Sequence, residues 1–222
     1  MNNIEKGFSL ELRDLWKVYR SGEEIIHALS RINYSFKMGS FNLVHGPSGC
    51  GKSTLIRVAG LLEKPTMGEV LINGENTIDM SQKKRNSLIR DEIGFVFKGS
   101  NLIPTFNALE NLTLPMTSKN TAKAKELLEK VGFTDYKKFP GKMSFEEVQR
   151  VSIARALVNN HSIILADEPT GNLHTDEAEI IIKLLLELNR SEGLTIILTT
   201  NNRKLSKHHD VLIEMMDGTL VS

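Results

Sequence analysis

Cysteine is nearly missing from this 222-residue chain: with Cys50 alone, no intrachain disulfide can form and no cysteine-based zinc cluster can assemble. A reducing compartment fits that usage. No apolar run approaches the ~20 residues that span a bilayer. Met1 to Ser9 also lacks a basic segment followed by an apolar one, so neither a membrane span nor a secretory signal is expected. An excess of one charge is missing too. Lys and Arg number 28 against 27 Asp and Glu, which gives no global reason to expect nucleic acid or an anionic membrane as partner. There is no internal repeat and no low-complexity linker. Outside position 174, the histidines, His208-His209 included, lack metal-ligand spacing and read as solvated loop residues. Lys83-Lys84-Arg85 reads as a solvated helix face rather than a nucleic-acid patch. What remains is 40% hydrophobic and 25% charged, the balance of a globular domain, and long enough for one large domain with an inserted lobe.

The periodicity of the apolar residues supplies the class. Leu10 to Phe36 reads as short strands broken at Ser21-Gly22, with Met38-Gly39 closing the run, and Phe41–His45 as a buried strand ending at Gly46. Leu55, Val58, Ala59 and Leu62 then recur at helical spacing. Glu69–Ile72 and Ile93–Phe97 read as strands, and Thr121–Val131 as a helix that Gly132 ends in the left-handed conformation. Ser144 begins another helix, with Val151, Ala154 and Val158 on one face. Ser162–Ala166 is an apolar strand, and a helix striped by Ile181, Leu184, Leu185 and Leu188 closes at Gly193 before the strand Thr195–Thr199. Alternating strands and helices predict a parallel α/β sheet, with a mostly helical insertion over roughly 99–157 and an antiparallel β layer at the front.

Two motifs carry chemistry. GPSGCGKST, the run Gly46, Pro47, Ser48, Gly49, Cys50, Gly51, Lys52, Ser53 and Thr54, contains the phosphate-binding P-loop pattern between a predicted strand and a predicted helix. Glycines let backbone close around phosphate, and the N–H groups of Gly49, Cys50, Gly51 and Lys52 are expected to point inward, at the positive end of the helix. Lys52 supplies a charge for the β- and γ-phosphates, Ser53 a ligand for Mg²⁺, and Cys50 only its backbone. The second motif is the apolar strand Ile163–Ala166 running into Asp167 and Glu168. In a P-loop fold the first acid at such a strand end holds Mg²⁺ opposite the Ser/Thr and the second polarises the attacking water. Asp167 is thus the candidate metal residue and Glu168 the candidate general base.

The run QRVSIARALVNN at 149–160, followed by LADEPTGNL at 165–173, resembles the ATPase subunits of ABC transporters, within them the lipoprotein-releasing (LolD) and macrolide-exporter (MacB) branch with which FtsE-type cell-division ATPases group. GLLEKPTMGEVLING at 60–74, IGFVF at 93–97 and NLIPTFNALENLTLPM at 101–116 extend the likeness over nearly the whole chain, so that 1–222 reads as one ABC nucleotide-binding domain. The resemblance implies a P-loop α/β core, ATP and Mg²⁺ as cofactors, and a head-to-tail dimer with a second ABC ATPase subunit, identical or not. ATP is then sandwiched between one subunit's P-loop and the other's signature motif. It also implies a separate integral-membrane permease, docked on the helical lobe and the stretch after Lys98, and a location at the cytoplasmic face of the cell membrane. Tyr19 falls where the family stacks an aromatic on adenine, although a Tyr at a strand end serves equally in plain packing.

The departures are as informative. Where the family has Leu-Ser-Gly-Gly-Glu/Gln, this chain has Met143-Ser144-Phe145-Glu146-Glu147. Both glycines that bring helix N–H groups to the partner's γ-phosphate are gone, and Phe145 is expected to obstruct that approach. A Glu146 carboxylate about 5 Å from a phosphate charge costs about 3 kcal/mol at an effective dielectric near 20. Lys98 stands at the Q-loop glutamine, placing an ammonium near the Mg²⁺ position; His174 stands at the D-loop aspartate, and Asn201 at the switch histidine. Asn201 still donates a hydrogen bond but carries no charge. Since these groups share one phosphate-handling task, the joint expectation is an ABC ATPase with impaired or asymmetric hydrolysis. The alternatives are an ATP-binding structural or regulatory subunit and a cell-division-type mechanical ATPase.

Overall fold

A computed structural model describes residues 7–99, 101–203, 205 and 209–221. Two sheets meet in it. The front sheet is antiparallel, with order β2-β1-β4-β5, built from β1 (Phe8–Ser21), β2 (Glu24–Lys37), β4 (Met67–Ile72) and the short β5 (Glu75–Asn76). The second has the order β10-β9-β3-β8-β7-β6, from β3 (Phe41–His45), β6 (Ile93–Phe97), β7 (Ile163–Asp167), β8 (Thr195–Thr200), β9 (Val211–Met216) and β10 (Thr219–Leu220). All its neighbours pair in parallel except β9 and β10. This is the mixed α/β, P-loop architecture expected, with the antiparallel layer in front.

Strand alternation explains the layering. Successive strand side chains point to opposite faces, and accordingly Ile163, Leu165 and Ile197 join one apolar cluster while Ile164, Ala166, Ile196 and Leu198 join the other. The first cluster lies between the two sheets and holds helix α1 (Lys52–Ala59) through Leu55, Ile56 and Val58. The second packs against the helices of the opposite face, including α6 (Thr175–Glu192) through Ile181, Ile182 and Leu185. Leu165 is fully buried, so its truncation to Ala costs about 2–5 kcal/mol. A one-residue slip of β7 exchanges the two faces and is excluded by the same burial.

Helix α2 (Gln82–Glu92) precedes β6, and the described residues between β6 and β7 form three α-helices, α3 (Ala108–Thr113), α4 (Thr121–Lys130) and α5 (Phe145–Arg155), with a short 3-10 turn at Pro140–Lys142. Their ends follow local chemistry. Asn107 and Ser144 cap α3 and α5 in reciprocal capping boxes with Glu110 and Glu147, and α4 ends at Gly132 in the left-handed region at φ 76°.

Several sequence readings need correction. The segment read as short strands over 10–36 lies in two long paired strands, β1 and β2, and α5 stops at Arg155, so Val158 lies beyond it, though buried. Helix α1 stops at Ala59, so Leu62 lies beyond it and is 46% exposed rather than on the apolar stripe. The pair β9–β10 was not read, although Asp217-Gly218, both at positive φ, forms its two-residue turn. His161 is buried, its ring nitrogens facing the Ala156 and Arg90 carbonyl oxygens, not solvated. Within Lys83-Lys84-Arg85, the two lysines are exposed but Arg85 is buried. His208 lies outside the described residues. No helix among the described residues is long and apolar enough to cross a membrane.

Candidate nucleotide-binding site

The loop between β3 and α1 turns through Gly49 at φ 82° and Gly51 at φ 107°. Both values favour glycine, and a Cβ on Gly51 would also collide with the Ala28 carbonyl oxygen. Around Gly49, by contrast, a Cβ would meet nothing, so the loop is open where phosphate is expected. The Gly218 N–H, in the β9–β10 turn, donates to the Cys50 carbonyl at 2.9 Å and ties the loop to the sheet edge. The Cys50 N–H donates to the Pro47 carbonyl; it is therefore engaged within the loop rather than pointing inward as expected. Lys52 is buried, and its ammonium donates to the carbonyls of Gly46 (2.9 Å) and Pro47 (2.8 Å).

A cavity of about 560 Å³ opens beside this loop. Of the candidate residues, Tyr19, Ser48, Gly49, Gly51, Lys52, Ser53, Thr54 and Glu168 line it. Its far wall comes from residues that sequence reasoning missed: Ile26, His27 and Ala28 of β2, and Asp217-Gly218. Tyr19 is oriented by its hydroxyl, which donates to Glu63 Oε2 at 2.6 Å, while the Lys17 ammonium sits 5.0 Å from the ring centroid. Burial opposes ionisation of Glu63, but hydrogen bonds from Tyr19, Arg57 and Lys17 outweigh it and hold the carboxyl below its usual range.

At the floor, Ser53 Oγ donates to Asp167 Oδ1 at 3.0 Å, and Thr199 Oγ1 donates to the same oxygen at 2.9 Å. Thr199 Oγ1 also accepts from the Glu168 N–H at 3.1 Å. One fully buried hydroxyl thus fixes both acids, with Glu168 in the left-handed region at φ 45°. Its sequence signal was the Thr199-Thr200 pair ending an apolar strand. Hydroxyl and carboxylate oxygens side by side suit Mg²⁺, a hard cation that takes one or two protein oxygens and completes its shell with phosphate and water. No cluster of three or more His, Cys, Asp or Glu among the described residues is placed to hold a metal unaided.

Glu168 lies between two cations: Lys52 Nζ is 3.6 Å from Oε1 and Lys98 Nζ 3.4 Å from Oε2. The Lys98 backbone carbonyl accepts from Gln149 of α5 and from Asn172, which anchors this residue to the helical lobe. Lys98 therefore meets the acid expected to act as base, rather than standing free near the metal position.

Residues 29–171 match the family model described as ABC transporter. This chain belongs to the ABC transporter family, as an ATP-binding subunit. The ABC subunit is 42% identical to an uncharacterized ABC transporter ATP-binding protein of Methanocaldococcus jannaschii, over 96% of this chain and 97% of that protein. It is 38% identical to the lipoprotein-releasing system ATP-binding protein LolD 1 of Rhodospirillum rubrum, over 96% and 98%. Its fold superposes on the dimeric structure of the M. jannaschii ABC transporter cassette MJ0796 with a TM-score of 0.89 at 39% identity, covering 96% and 97% of the two chains. The LolD protein matches no better than the cassette without a branch name, so no branch is favoured.

Seven candidate residues of the ABC subunit stand outside the cavity lining: Gly46, Pro47, Cys50, Lys98 and Asp167, described above, and two more distant ones, Asn201 and Ser144. Asn201 is exposed beyond β8. Ser144 caps α5 on the helical lobe, its hydroxyl accepting from the Glu147 N–H at 3.1 Å. Next to it, Phe145 is 65% exposed. Glu146 is not free: its carboxylate pairs with Arg150, one turn along, at 2.7 Å. The Glu146 charge at this helix end is thereby partly neutralised. Glu147 is held below the usual carboxylate range chiefly by the Lys138 ammonium, against a smaller effect of burial. The His174 N–H, at the start of α6, donates to Glu177 Oε2 at 3.0 Å.

Proposed function

We propose that this subunit binds Mg-ATP through its own loop but hydrolyses it slowly as a homodimer, and that turnover in a mixed dimer resides at this chain's own loop. The observation that carries the slow hydrolysis is the double engagement of Glu168 by Lys52 and Lys98; the ranking of the two sites in a mixed dimer rests on the exposed Phe145 instead. To act as a base, the carboxylate must accept a proton from the attacking water, and oxygens already facing ammonium groups are poor acceptors. When phosphate enters the loop, Lys52 has a stronger partner and turns to it; Lys98 has none and stays on Glu168. Mg²⁺, when bound, neutralises phosphate charge. Ser53 and Asp167 are the side chains placed to hold it, and Thr199 keeps Asp167 in position.

The second impediment acts in trans. In the head-to-tail dimer that the family resemblance implies, Ser144 and the N-terminus of α5 face the partner's nucleotide, with the exposed Phe145 beside them; the related cassette is itself dimeric. Each half of a homodimer then meets this obstacle. A partner with glycines at the equivalent positions relieves it at one site only. The remaining parts of the proposal are the coupling of ATP use to a separate integral-membrane permease and attachment at the cytoplasmic membrane face. They are supported by family membership and by the helical lobe available for docking.

Equilibrium binding of Mg-ATP to the isolated chain tests the foundation. Wild type should bind, and Lys52→Ala should bind at least about tenfold more weakly, the loss of one charge-assisted contact. Equal affinities overturn the assignment of the loop.

A further inference from the structure

Arg85 is the strongest unexplained feature outside the nucleotide cavity. It is 8% exposed, yet its guanidinium makes no hydrogen bond or ion pair with any described residue, and its Nε is buried without a partner. Nε alone is shut off from solvent; the terminal nitrogens of the fork remain accessible, with no acceptor among the described residues facing them. Arg85 lines a second cavity, of about 230 Å³, between the end of α1, β4 and α2. Leu61, Pro65, Val70 and the outward-facing Met67 and Ile78 give it apolar walls. Its charged lining residues are two cations, Arg85 and Lys64, and one carboxylate, Glu63. Glu63 is already taken by Arg57, Lys17 and Tyr19, so it offers Arg85 no counter-charge and the pocket has a positive surplus.

We infer that this cavity is a binding site for a small amphipathic carboxylate, its head on the Arg85 guanidinium and its apolar body against Leu61, Met67 and Ile78. The guanidinium fork matches two carboxylate oxygens, which a neutral ligand does not offer. The apolar walls select against a bare inorganic anion. The inference stands independently of how well the subunit hydrolyses ATP.

The test is calorimetric titration of the full chain with hexanoate, with 1-hexanol and inorganic phosphate as probes lacking the head or the body. Hexanoate should bind saturably, and each control about tenfold or more weakly, the discrimination of one charge-assisted contact or a few buried methylenes. Arg85→Met should weaken hexanoate binding by a similar factor while the melting temperature holds or rises, since a largely shielded cation without a protein partner is removed. Met67→Asp, at an exposed rim position, supplies a competing carboxylate and should also abolish binding with Arg85 in place. Absence of saturable hexanoate binding, phosphate binding as tightly as hexanoate, or unchanged hexanoate affinity in Met67→Asp each overturns the proposal.

Discussion

Replacing Lys98 by glutamine removes the ammonium 3.4 Å from Glu168 Oε2. At an effective dielectric near 20, two unit charges at that separation attract by about 5 kcal/mol. The side chain of Lys98 is 47% exposed, however, and ion pairs open to solvent retain about 1 kcal/mol or less. Taking about 1 kcal/mol as the cost of freeing Glu168 predicts a rise in kcat of about fivefold. Lys98→Met should give most of the same gain, because the gain comes from removing charge rather than from adding an amide; Lys98→Arg should give none. The assay is steady-state phosphate release, run in wild type and in the Phe145→Gly, Glu146→Gly background so that the obstacle in trans does not mask the effect. Salt provides a second readout: raising ionic strength should speed the wild type more than Lys98→Gln, since screening weakens the half-exposed pair. Unchanged or lower kcat in both Lys98→Gln and Lys98→Met, with ATP affinity preserved, would refute a restraining role for Lys98.

Thr199→Val removes the hydroxyl that fixes Asp167 and the Glu168 N–H. It should cost about 1–2 kcal/mol in chemical denaturation and weaken Mg-ATP more than ATP alone; no change in either measurement removes Thr199 from the site. Glu147 provides a pH test. Its carboxyl is depressed in the folded state by Lys138, so its stabilisation is complete above the unfolded value of 4.5 and is lost as pH falls through the lower folded value. The stability gap between wild type and Glu147→Gln, under about 1 kcal/mol for a part-exposed pair, should therefore narrow only below about pH 4.5. A gap that narrows in the neutral range would point to another group.

The sequence made the loop, the two acids and the parallel core legible because each follows a short-range rule: glycine spacing, an apolar strand ending in charge, apolar residues at helical or strand period. Arg85 was misread because a run of three cations looks solvated whichever of them the helix turns inward, and only the packing of α2 decides that. Thr199 was missed because its role depends on β7 and β8 lying side by side, which local pattern does not reveal. The pairing of Glu146 with Arg150 was legible in the sequence, since acid and base four apart on a helix commonly meet. Asp217-Gly218 carried a strong turn signal, and its contact with the loop through Cys50 depends on tertiary folding.

The central claim is that this chain's loop is the better of two unequal sites, and a mixed dimer tests it most directly. Differently tagged copies, one wild type and one carrying Phe145→Gly with Glu146→Gly, can be purified as a pair and assayed for ATP turnover. Only the wild-type copy's loop then faces a glycine-restored helix end. Glu168→Gln in the wild-type copy should abolish most turnover, and the same change in the restored copy should leave most of it; the opposite ranking, or equal loss from both, contradicts the account.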